Sequence, residues 1–498
     1  MNTFKSHTLE LVINKIQQIT LLILSVVLIL TISSCGTTRR GPCGGSLWDS
    51  DVLVRGNATR VEALIDCGVN VNQRNAAGET PLHRAVDLGD AGDVGKGSIG
   101  AHKGTIGDPK IVELLLENGA DPRAVDRNHV TPLHYANQAK IAELLIARGA
   151  RVNALTVTGC TPLHYIAERG YGVHGAQSAV KTAEILIRRG ANINVIAKDG
   201  STPLYKAVFN NKLDMAELLL RHGANPNIGN GRSQNSLLPL AVAVSTGGYG
   251  NADMVALLLK YRANPNVLST YGTAPLHYAC QAKIAALLID YGANVNNPGT
   301  ADVTPLYAAS YRGDKGVVQV LLSRKANPNK QNKKGSAPLH VAANRGYKDV
   351  VKLLIANGAD VRILDANGWT ALHHAAFHRR AGAAEALLAN HAEVNALTHQ
   401  GSTPLHLAVQ NGKEASDVVE HRDIIAVLLA HGADPEKTNC DGVTPLVIAS
   451  LRCAVPDVKL LLAAGADVHA ARAAWQASPA SGDGCREVGS LLLGYSVR

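Results

Sequence analysis

A chain of 498 residues and 52.3 kDa has the length of three ordinary domains. Its 4% aromatic content, 47 glycines and 46% hydrophobic residues instead suit Ala/Leu helices closed by glycine turns. The formal charge of +9 permits attraction to anionic partners, but no motif that reads nucleic acid accompanies it, so nucleic-acid recognition is not expected.

From the N-terminus, Ile19 to Ile32 is an almost unbroken apolar run preceded by Lys5 and Lys15. It is short for a bilayer span and the right size for the core of an export signal. The residues that close it, Ile32-Ser33-Ser34-Cys35, resemble a bacterial lipobox. That resemblance implies a signal peptide over residues 1–34, lipidation of Cys35 and, because Gly36 rather than aspartate follows, a lipid anchor in the bacterial outer membrane. The alternatives are a secreted chain and one anchored by an uncleaved N-terminal helix. Residues 35–46 are Gly-rich and aperiodic and read as a flexible tether.

Residues 47–79 read as an N-terminal capping repeat, shortened because one of its faces has no neighbour. From there the tetrapeptide Thr-Pro-Leu-His organises the chain. It is complete at Thr80 to His83, Thr131 to His134, Thr161 to His164 and Thr403 to His406, and degraded at sites such as Thr202 to Tyr205, Ala274 to His277, Ala337 to His340 and Thr370 to His373. Threonine suits a helix N-cap, proline at the next position loses nothing by lacking an N–H, and leucine begins a buried stripe. Each apolar run then closes at a glycine such as Gly119, Gly190, Gly358 or Gly432, where a left-handed residue ends a helix. The spacing is 33 residues between Pro305, Pro338, Ala371 and Pro404.

Helix start, second stripe, glycine cap and period together resemble the ankyrin repeat family. The resemblance implies an all-α solenoid of paired antiparallel helices with β-hairpin-like fingers, the array covering residues 80–465 and a degenerate C-terminal capping repeat covering 466–498. Within the chain, the distance from a closing position to the next Pro81 equivalent is 13 residues at every junction but that from Gly223 to Pro239, which is 16. Large length variation falls instead between the two helices of a pair, in the inserts 87–109, 166–181 and 412–422. Arg262, Lys325 and His391 stand where other repeats carry the closing glycine, and a left-handed conformation there costs about 1 kcal/mol relative to glycine.

No catalytic motif is present. The histidines of the tetrapeptides fall one per repeat, too far apart to share a metal, and Tyr205 and Tyr307 replace two of them, which a catalytic imidazole would not tolerate. In the family the equivalent histidine resembles a latch that holds the threonine hydroxyl and neighbouring backbone. His374 and His378 share a helix face without the glutamate of a metalloprotease motif. The 8 cysteines show no paired spacing and indicate neither a disulfide framework nor a zinc site. No enzyme activity, cofactor or metal is expected.

What the resemblance implies is protein binding on finger tips and on the concave face of the first helices. Candidate partner-binding residues at the tips are Glu79, Arg127, His129, Tyr271, Trp369 and His399, with Lys333 and Lys334 making one finger basic. The resulting expectation is a membrane-tethered interaction scaffold of the bacterial envelope. The alternatives are an effector that binds host proteins and an inhibitor or immunity protein for an envelope toxin.

Overall fold

The computed structural model describes residues 45–48, 50–53, 57–86, 107–169, 173–229, 238–245, 250–269, 272–411, 418–477 and 483–494. Two compact units divide between Arg151 and Val152. The first holds the helices Ser50–Leu53, Ala58–Asp66, Pro81–Val86, Pro109–Glu117, Pro132–Tyr135 and Ala139–Ala147. The second begins with the pair Pro162–Glu168 and Val173–Arg188, continues through pairs such as Pro338–Arg345 with Lys348–Ala356 and Ala371–Phe377 with Ala381–Leu388, and ends at Val468–Ala477 and Asp483–Gly494.

Local chemistry starts each first helix. Thr161 holds an extended N-cap conformation with Pro162 behind it, and the Thr202 hydroxyl accepts the Tyr205 amide at 3.1 Å. In both units first helices pack on first helices and second helices on second helices. Fully buried Ala342, Ala343, Ala375 and Ala376 let neighbouring first helices approach, while Val350, Val351 and Leu354 fill the layer behind them. Burying a side chain of the size of Leu354 contributes about 2 kcal/mol, so the core is a sum of many equal layers. Arg262, Lys325 and His391 do adopt the left-handed conformation, with φ of 63°, 64° and 62°.

The fingers are not β-hairpins. Among the described residues there is no β-strand, and each finger is a tight turn. The reason lies in one side chain per turn. In the turn at Asp126, the amide of Asp126 donates to the Val130 carbonyl at 3.0 Å, but the returning Val130 amide donates to the Asp126 carboxylate at 2.8 Å rather than to its carbonyl. Asn332 and Asp365 do the same for Ser336 and Trp369. A ladder needs the second backbone bond, and the side chain has taken it.

The expectation of a lipid anchor in the outer membrane, or of an uncleaved membrane helix, is likewise corrected. The described residues are all-helical, and none of their helices is long and apolar enough to cross a membrane. The run from Ile19 to Ile32 and Cys35, on which that expectation rested, lie outside the described residues.

Cysteine use also differs from the expectation. Cys453 and Cys485 form a disulfide, their Cα atoms 4.6 Å apart, and Cys67 is disulfide-bonded too. Cys160, Cys280 and Cys440 are free. The Cys453–Cys485 bond ties the turn after the Pro445–Leu451 helix to the start of Asp483–Gly494, a proximity that exists only once these helices pack.

Candidate functional site

Three sets of polar contacts hold the fingers in place. At the tips, consecutive turns exchange one backbone bond: in the second unit the Lys333 amide donates to Ala301 O (2.9 Å), Ala366 to Lys334 O (3.1 Å) and Cys440 to Gln400 O (3.0 Å). At the finger bases an asparagine four residues beyond the closing position clamps the next repeat. Asn329 donates from Nδ2 to Gly358 O at 2.9 Å and accepts the Asp360 amide at 2.8 Å. Asn153, Asn194, Asn227 and Asn266 make the same pair of bonds. Arg362 occupies the equivalent position between Gly358 and His391, so that junction lacks the asparagine clamp as well as the glycine.

The third set is the histidine latch. His83 accepts the Thr80 amide on Nδ1 at 3.0 Å, lies 2.9 Å from the Thr80 hydroxyl, and donates from Nε2 to Val130 O at 3.0 Å. His340 and His406 reach Ile363 O and Val443 O in the same way, each at 3.0 Å. An acceptor at Nδ1 and a donor at Nε2 describe a neutral ring. Burial pushes the imidazoles of His164, His340 and His373 down to about 4. These rings cross-link one finger to the next.

The residues expected at the tips separate into two sets, each within one unit. In the first unit Glu79 is half-buried and accepts from Asn75 Nδ2 at 2.7 Å, while the Arg127 amide donates to Ala77 O at 3.0 Å and the exposed His129 stands at the left-handed tip with φ 58°. In the second unit Lys333, Lys334, Trp369 and His399 fall on three consecutive fingers. His399 lies over the Gly368 tip so closely that a Cβ there would come within 2.5 Å of its ring. Trp369 is only part-exposed: it packs along its own helix, with ring centroids 5.1 Å from His374 and 5.2 Å from Phe377. Beneath it His374 Nε2 donates to Asp365 at 2.9 Å. Burial alone would raise the Asp365 carboxyl, but the His374 bond and the Trp369 and Asn367 amides outweigh it and hold the group at about 2. Tyr271 lies outside the described residues.

Sequence reading missed a different row. Leu155, Ile196, Leu268, Leu364 and Leu397 each stand six residues past a closing position and are exposed by 55%, 55%, 55%, 45% and 50%. On the first helices Phe209, Tyr311 and Leu451, each six past the helix-start proline, are exposed by 58%, 47% and 44%. The Arg345 guanidinium covers the Tyr311 ring at 4.0 Å. Aligning the repeats on their closing positions would have revealed the first row, since its apolar character recurs where a turn should be polar.

The sequence pattern described as ankyrin repeats in three copies matches residues 101–181, 137–230, 173–267, 240–332, 306–398 and 382–472. The chain belongs to the ankyrin-repeat family. A protein of Escherichia coli (strain K12) named as an ankyrin repeat protein, YahD, is 39% identical over 77 residues, which is 16% of this chain. The chain spans 32% of that relative's length. Among the described residues no group of three or more His, Cys, Asp or Glu could hold a metal ion.

Proposed function

We propose that this ankyrin-repeat protein is a protein-binding scaffold that holds its partner on the finger turns and the adjacent first-helix face. The observation that carries the reading is the row of exposed aliphatic side chains at one register of the fingers. A solenoid built to bury leucine leaves Leu155, Ile196, Leu268, Leu364 and Leu397 about half in water, in turns where polar residues cost nothing. Repetition at one register makes an interrupted stripe, with Gly229, Pro298 and Gln331 at that register in the intervening repeats, and such a stripe can engage a partner at several points at once. The clamps, tip bonds and latches keep those points at fixed spacing, so little ordering entropy opposes binding. Trp369, His399, Lys333 and Lys334 flank this stripe on the fingers that bear Leu364 and Leu397 or on the finger before them.

The test replaces Leu155, Ile196, Leu364 and Leu397 together with serine and compares captured proteins and thermal stability with the unmodified chain. Stability stays within about 0.5 kcal/mol per site, because exposed substitutions remove few contacts, while capture is lost. Undiminished capture by the folded variant defeats the proposal.

A further inference from the structure

The positive charge of the second unit is unevenly spent. On its second helices, five basic side chains are paired with carboxylates of the adjacent repeat: Lys283 with Asp253 at 3.3 Å, Arg324 with Asp290 at 2.6 Å, Lys315 with Asp349 at 3.0 Å, Lys348 with Glu385 at 2.8 Å and Lys459 with Glu487 at 2.7 Å. The finger bearing Lys330, Lys333 and Lys334 is different. All three side chains are exposed, and among the described residues none has a carboxylate within ion-pair distance.

This finger is also held more firmly than a lysine-rich loop needs to be. Its backbone is bonded on both sides, to Ala301 O through the Lys333 amide and from the Ala366 amide through Lys334 O. Asn332 Oδ1 accepts two amides within the turn, from Lys334 at 2.9 Å and Ser336 at 3.0 Å. Gln331 Nε2 donates across to Leu364 O at 2.7 Å and back to Gly335 O at 2.6 Å. Like charges are therefore kept together at the cost of mutual repulsion, on a turn pinned to the finger that presents Leu364.

We propose that the finger of Lys330, Lys333 and Lys334 is the docking point for an acidic protein segment, one that carries an aliphatic side chain beside its carboxylates for the stripe at Leu364 and Leu397. Charge complementarity selects the acids, and the exposed leucines select the apolar neighbour. A nucleic-acid strand fits less well. Strand binding uses aromatic platforms, and the tryptophan on the adjacent finger is already packed against His374 and Phe377. This inference rests on the scaffold reading above and names the chemistry of the partner.

The experiment uses the full chain and fluorescence anisotropy with a labelled peptide of Glu and Asp residues flanking leucines. Its comparison probes are the Gln/Asn analogue, a single-stranded oligonucleotide, and vesicles containing phosphatidylglycerol. Two variants remove the same charge from different faces: Lys330→Gln/Lys333→Gln/Lys334→Gln on the finger and Lys283→Gln/Lys315→Gln/Lys348→Gln on the second helices. The acidic peptide is expected to bind the unmodified chain, to weaken between about 50 and about 300 mM salt, and to lose about tenfold or more in affinity in the finger variant only. Equal losses in both variants would assign the binding to diffuse charge. Equal binding of the Gln/Asn analogue, or binding of the oligonucleotide or vesicles in preference to the peptide, overturns the proposal. Should the acidic peptide fail while the serine variant of the stripe still abolishes capture, the partner chemistry falls and the scaffold reading stands.

Discussion

Mild acid should dismantle the second unit through its latches. His164, His340 and His373 are exposed by 1% or less and are held neutral in the folded state, with pKa values pushed down by burial from 6.5 to about 4. Between those values the unfolded chain binds protons that the folded chain does not, so stability falls as pH falls from 6.5 towards 4. Each ring then costs about 2 kcal/mol at pH 5 and about 3 kcal/mol at pH 4. Three such rings together cost about 6 kcal/mol at pH 5, which is comparable with the whole stability of an ordinary domain. Urea titrations followed by far-UV circular dichroism at pH 7, pH 6 and pH 5 measure the effect. The variant His340→Tyr, which copies the natural state of Tyr205 and Tyr307, separates the latch from the carboxylates: its loss between pH 7 and pH 5 should be smaller by the share of one ring. A midpoint that does not move between pH 7 and pH 5, or an identical slope in His340→Tyr, would refute the reasoning.

Further expectations concern the joints of the array. Asn329→Ala removes two bonds between repeats and should cost about 1–2 kcal/mol in chemical denaturation, whereas Arg362→Asn, which supplies the missing clamp, should stabilise by about 0.5–1 kcal/mol. Lys325→Gly and His391→Gly relieve left-handed side chains and should each raise stability by about 1 kcal/mol; a loss at both sites in thermal melts would show that the turn is not strained. Cys453→Ser opens a loop with a sequence separation of 32 residues and should cost about 4 kcal/mol, read as faster proteolysis of the last two helices without change in the helices before them.

The elements that were legible in the sequence are those in which one residue type does one local job. The Thr-Pro pair starts a helix wherever it stands, and the histidine three residues after the threonine does reach that threonine's amide and hydroxyl, as His83 does at Thr80. Arg262, Lys325 and His391 were likewise identifiable as left-handed because the glycine they replace was visible in other repeats. What escaped depended on partners distant in the chain. Asn329 reads as an ordinary turn residue until its bonds to Gly358 and Asp360 are seen. Trp369 suggested an open anchor, but Phe377 lies eight residues on, about two helical turns, and so falls under the indole. Hairpin-like fingers were what the family resemblance implied, and only the bonding of Asn332 and Asp365 reveals that side chains replace the ladder.

The Cys453–Cys485 bond has a mechanical consequence. A pull on the C-terminal end travels through the covalent link at Cys485 to Cys453 and bypasses the helices between them. The intervening 32-residue separation, about 110 Å of extended chain, stays hidden from the load until the bond is reduced. Tension therefore reaches the repeats upstream while the helices Val455–Ala463 and Val468–Ala477 are still folded, and the joint between Gly358 and His391, without its clamp or its glycine, is where extension should begin.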